Sequence, residues 1–153
     1  MIASLLLILH ALSAVVWVGG MFFAHQVLRP AAASLETGPR LTLWSHVLGR
    51  FFAWVFAAIV LLLLTGYALV FGVFAGFSGV GLHVHLMQGI GIVMMLLFLH
   101  LYFAPWRRFR SAVTRQDWAE GGLHLGQIRT IVTINLVLGV IVVAIGSSGR
   151  YWG

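Results

Sequence analysis

Four apolar runs, each about as long as the hydrocarbon core of a bilayer is thick, leave this chain little choice of fold. They cover about 2–28, 51–74, 82–104 and 131–145, and flanking residues extend the second and fourth to about 43–74 and 124–147. At about 1.5 Å of rise per residue, each can cross roughly 30 Å of hydrocarbon. Inside lipid the backbone must satisfy its own hydrogen bonds, so such runs become helices. Of 153 residues, 61% are hydrophobic and 8% charged, whereas soluble domains are about a quarter charged. The expectation is one all-α transmembrane domain over 1–153, an integral membrane four-helix bundle. The first run has no basic segment before it and exceeds an ordinary signal-peptide core, so it reads as a retained helix. Pro30 and Pro105 follow apolar runs and are expected to close the first and third helices.

Arginine distribution supplies the orientation. Arg29, Arg40 and Arg50 flank the first connection, and Arg107, Arg108, Arg110, Arg115 and Arg129 the third; only Arg150 lies at the other end. The connection between the second and third runs, GVFAGFSGVG, carries no charge. The positive-inside rule then puts both basic loops in the cytoplasm and both termini outside, in a multi-pass protein of the bacterial inner membrane. The net charge of +6 is therefore a topology signal, and no nucleic-acid partner is implied. The lipid bilayer is the expected partner; oligomeric state is not legible.

The sequence has no cysteine, which excludes disulfides, iron–sulfur clusters, thiolate metal sites and covalent haem attachment. Its three acidic residues, Glu36, Asp117 and Glu120, fall in connections, so no Ser–His–acid set can form within the spans.

Seven histidines carry the remaining chemistry. His10 and His25 are 15 residues apart on the first helix, and His85 and His100 are 15 apart on the third. That spacing returns within about 60° of the same face after roughly 22 Å. Two parallel helices with matched imidazoles suit a bis-His b-type haem inside a bundle. His10 with His85 is the expected axial pair, with His100 the main substitute. A second haem would take His25 and His100. The stripe from His10 continues through Ser13, Trp17 and Met21; that from His85 through Gln88, Gly89, Ile92, Leu96 and Phe103. Gly19, Gly20, Gly89 and Gly91 would let a flat ring approach, and Arg50, Arg150, Arg40 or Arg129 would pair with propionates. His25, His46 and His124 lie near the interface, where an imidazole is cheap, and His83 faces away from His85. Met21, Met87, Met94 and Met95 read first as packing, and Thr130, Thr133 and Asn135 as bonds across helices.

The stretches LHALSAVVWVGGMFFAHQVLRP, RFFAWVFAAIVLLLLTGY, HVHLMQGIGIVMMLLFLHLYFAPWRRFR and QIRTIVTINLVLGVIVVAIGSSGRYW resemble the copper-resistance protein D (CopD) family of bacterial inner-membrane proteins. The most specific part is the pattern His, Trp-x-Gly-Gly, Arg-Pro in the first helix. The chain is also similar, more loosely, to HemJ-type membrane haem proteins, through His10 and His100. The first resemblance implies copper uptake or tolerance; the second implies haem and electron transfer.

Two functions follow. One is a haem b redox protein, a membrane oxidoreductase exchanging electrons with quinol or a protein partner. The alternative is copper handling. It would use His83, His85 and Met87 as an outer capture site and His25, His46, His100 and His124 as an inner one, since imidazole and thioether suit copper.

Overall fold

The computed structural model describes residues 1–152, without the side chain of Arg150. Four helices are long and apolar enough to cross a membrane: α1 (Ile2–Ala32), α2 (Thr37–Gly72), α3 (Leu82–Thr114) and α4 (Trp118–Ser148). The described residues contain no strand. The protein is an all-α membrane four-helix bundle.

The prolines do not stop the helices where the sequence pattern placed their ends. α1 passes Pro30 and ends at Ala32; α3 passes Pro105 and reaches Thr114. Pro105 and Trp106 are buried within a π-helical segment, Tyr102–Trp106. Pro105 has no N–H to give, and the wider turn re-phases the backbone ladder around it, which keeps the helix running. α1 has two such segments, Val15–Gly19 and Phe23–Leu28, the second just ahead of Pro30. α2 begins at Thr37 and α4 at Trp118, several residues before the apolar runs begin; at α4 a side-chain cap marks the start. Asp117 Oδ1 accepts from the Glu120 N–H at 3.0 Å, which satisfies one orphan donor of α4's first turn.

The chain folds as two hairpins. α1 packs on α2 and α3 on α4, while α4 also touches α1 and α2. α1 meets α3 through a ring contact, Trp17 edge-on to Phe98 at 6.2 Å. The turn between α2 and α3 needs two left-handed residues, Ala75 (φ 57°) and Gly76 (φ 96°); glycine takes such a φ at no steric cost.

The core gathers toward the Arg-rich end. Phe52 and Phe109 are fully buried there, with Leu41, Trp44, Leu101, Trp106, Leu125 and Ile128. Phe52 touches Phe98 at 5.5 Å, Tyr102 at 6.2 Å and Trp106 at 5.1 Å, all edge-on. Small residues admit the neighbouring helices. A Cβ on Gly20 would collide with the Phe51 ring, and one on Gly139 would lie 2.8 Å from Val18 Cγ2. The room expected at Gly20 is thus already filled by Phe51, and Gly19, Gly89 and Gly91 open outward, with nothing within 4 Å of a Cβ.

Asn135 is the cross-helix polar clamp. It is 2% exposed, and its amide donates to Met94 O at 3.2 Å. Thr130 and Thr133 instead bond back to Gly126 O and Arg129 O of their own helix. A short hydroxyl side chain finds the carbonyl one turn behind it more readily than a neighbouring helix.

Candidate functional site

The histidines distribute over three places. At the end bearing the termini, His10 sits in the α1–α2 seam. The Thr65 hydroxyl donates to Leu61 O at 2.5 Å, which leaves its oxygen to accept from His10 Nδ1–H at 2.9 Å. This geometry selects the tautomer with its lone pair on Nε2, the arrangement by which an outer partner orients a metal-binding imidazole. The stripe read from His10 is the buried face of α1: Ser13, Trp17 and Met21 are 5%, 3% and 2% exposed. Thr65 gave no signal in the sequence beyond being one hydroxyl in LLLLTGYALV.

The stripe read from His85 faces the other way. His85, Gly89, Ile92, Leu96 and Phe103 are exposed, whereas α3 buries Met94, Phe98, Leu101 and Trp106. His85 lies tilted against Phe77 at 5.9 Å, and Phe77 also meets Tyr67 and Phe71 edge-on. Gln88 donates to Tyr67 OH at 3.1 Å. His85 therefore belongs to an aromatic cluster under the α2–α3 turn. It also edges an open apolar depression with Gly89, Val93 and Leu138. His10 turns toward Thr65 and Gly66 of α2, so the structure shows no contact between the two imidazoles. Trp17 is buried against Phe98, Arg50 and His100 are exposed, and the Arg150 side chain lies outside the described residues.

His83 and Met87 form a second place, also at the terminal end. One helical turn apart on α3, they point into the seam with α4. A Cβ on Gly149 would collide with the His83 side chain, and one on Gly146 would lie 3.4 Å from Met87 Sδ. Trp152 meets the His83 ring edge-on at 6.5 Å. The two glycines of α4 and its following turn make the space these side chains occupy.

At the Arg-rich end, His25, Trp44 and Arg129 border a small cavity between α1, α2 and α4. His124 contacts Gln127 Oε1 at 3.1 Å and Glu120 at 3.5 Å, while His46 is exposed. Among the described residues, no three His, Asp or Glu side chains cluster as a metal site would require. A metal held here would need methionine or fewer ligands.

These observations define a four-helix integral membrane protein with imidazoles at both ends and one histidine–methionine pair. A family model described as copper resistance protein D (CopD) matches residues 45–148, more than half of the chain, and the chain belongs to that family. The match covers α3, α4 and most of α2; α1, with the Trp-x-Gly-Gly pattern, precedes it. No curated protein and no solved structure matches the chain.

Proposed function

We propose that this protein handles copper as cuprous ion at the outer face of the bacterial inner membrane. The observation that carries the reading is His83 and Met87 side by side, one turn apart, over Gly146 and Gly149. Residues at i and i+4 have Cβ atoms about 5–6 Å apart, close enough for one ion to take an imidazole nitrogen and a thioether sulfur. Both donors are neutral, and the thioether is soft; cuprous ion needs few ligands and no carboxylate, so such a pair suits it better than a divalent cation. Family membership supports the choice of metal. The excess of arginine on one side supports an orientation with both termini outside, which turns this pair toward the periplasm.

The test is a competition titration of the purified full-length protein with a chromophoric cuprous chelator. One ion per chain should bind in the wild type, and His83→Ala and Met87→Leu should each weaken it at least about tenfold, the loss of one ligand. Unchanged affinity in both variants would remove the proposal.

A second reading is a b-type haem on His10 with His85 or His100, and a second ring on His25 and His100, exchanging electrons with quinol or a protein partner. What favours it is the oriented His10, with its free Nε2 lone pair. His85 and His100 stand on exposed stretches of α3, so this reading asks more of the fold. Oxidised and reduced absorption spectra of protein from haem-replete cells separate the two. A sharp reduced α-band lost in His10→Ala supports haem; a colourless, folded preparation rejects it.

A further inference from the structure

Three nitrogens at the Arg-rich end are buried and have no hydrogen-bond partner among the described residues: His25 Nδ1, Trp44 Nε1 and Arg129 Nε. They come from α1, α2 and α4, and all three residues line one cavity of about 30 Å³. That volume admits about one oxygen-sized group. Trp44 is 4% exposed, and its N–H is buried. A buried donor left unpaired costs about 1–3 kcal/mol, and three on one cavity point to a shared acceptor.

The chemistry of that acceptor follows from the walls. Indole N–H and guanidinium N–H only donate. The other lining residues named with them, Leu48, Phe51, Leu125, Ile128 and Val132, are apolar. Arg29 borders the same cavity, and the charges of Arg29 and Arg40 act on Arg129. The Arg129 guanidinium lies over the Trp44 ring, 5.8 Å from its centroid, so the two side chains adjoin at the cavity wall. No carboxylate lines the cavity. A water would bring two protons to a place rich in donors. A negatively charged oxygen brings none, and it is attracted by the arginines.

We propose that this cavity seats one oxygen of a phosphate group. Trp44 and Arg129 donate to it, His25 adds a third N–H as its Nδ1–H tautomer, and Arg29 meets the rest of the phosphate at the mouth. The cavity lies on the Arg-rich side of the bundle, toward the ends of the spans, so the phosphate has two sources: an anionic lipid of the adjoining leaflet, or a free ion. The site is separate from the histidine–methionine pair, which lies at the opposite end of α3 and α4.

Native mass spectrometry of the full chain, released from detergent, tests this with phosphatidylglycerol and inorganic phosphate as probes. One phosphatidylglycerol should be retained per chain. Trp44→Phe, which keeps the ring and removes one donor, should weaken retention about tenfold, and Arg129→Gln about tenfold or more. If inorganic phosphate displaces the lipid and raises the melting temperature, the phosphate site stands and a free ion is a competent source; if it does neither, the lipid is the ligand. Should Arg129→Gln fail to fold, Trp44→Phe alone carries the test. Failure of the wild type to hold either probe, or equal retention by wild type and a folded Trp44→Phe, overturns the proposal.

Discussion

The two ends of the bundle are built differently. The Arg-rich half locks aromatic rings together: Phe52, Phe98, Tyr102 and Trp106 pack edge-on, and Phe109 and Ala112 are sealed beneath them. The terminal half is thin. Beyond Met94, Asn135 and Leu136 toward the termini, its buried side chains are few and modest in size, Ser13, Thr65 and Val70, and its histidines sit between or outside the helices. In lipid no hydrophobic force draws helices together, so shape complementarity and polar clamps must. The aromatic half supplies the first in bulk. The terminal half relies on close approaches at glycine and on single hydrogen bonds.

Substitutions can break this contrast or sharpen it. The largest effect should come from Phe52→Ala, which empties the aromatic hub and costs about 3 kcal/mol, read as resistance of the purified protein to denaturation in mixed micelles. Leu64→Ala, on the lipid face of the thin half, should cost less than about 0.5 kcal/mol; equal losses in both would dissolve the contrast. Next comes Gly146→Leu, which drives a side chain into Met87 and should cost about 2 kcal/mol by overpacking while also weakening cuprous binding. Stability lost with copper affinity intact would separate the seam from the site. Smaller still, Asn135→Ala removes the clamp on Met94 O and Thr65→Val the partner of His10, each about 0.6 kcal/mol in the same assay. Least of all, Glu120→Gln breaks an exposed pair with Arg115 (2.5 Å) and should shift stability by about 0.5 kcal/mol or less.

The fold was legible because hydropathy over a bilayer-length window is a local property: the four spans, the connections between them and the asymmetry of arginine need no knowledge of contacts. The buried face of α1 was legible too, since Ser13, Trp17 and Met21 recur at helical spacing from His10. The face of α3 was not. In a membrane helix the lipid side is as apolar as the core side, so a stripe through Gly89, Ile92 and Leu96 looks no different from one through Met94, Phe98 and Leu101. Prolines misled for a related reason: sequence carries the missing N–H but not the π segment that accommodates it.

Chain chemistry alone therefore determined that this protein is a four-span helical membrane protein without thiols, with most of its positive charge at one end. Tertiary structure decided the surroundings of each imidazole: His10 against Thr65, His83 against Gly149 of the following turn, His25 on one cavity with Trp44 and Arg129. Helical periodicity specifies a direction around one axis, whereas a site needs the rotation of several helices relative to each other. That rotation is set by side-chain packing between segments distant in sequence, here by rings such as Phe52 and Phe98 and by the glycines that let helices close.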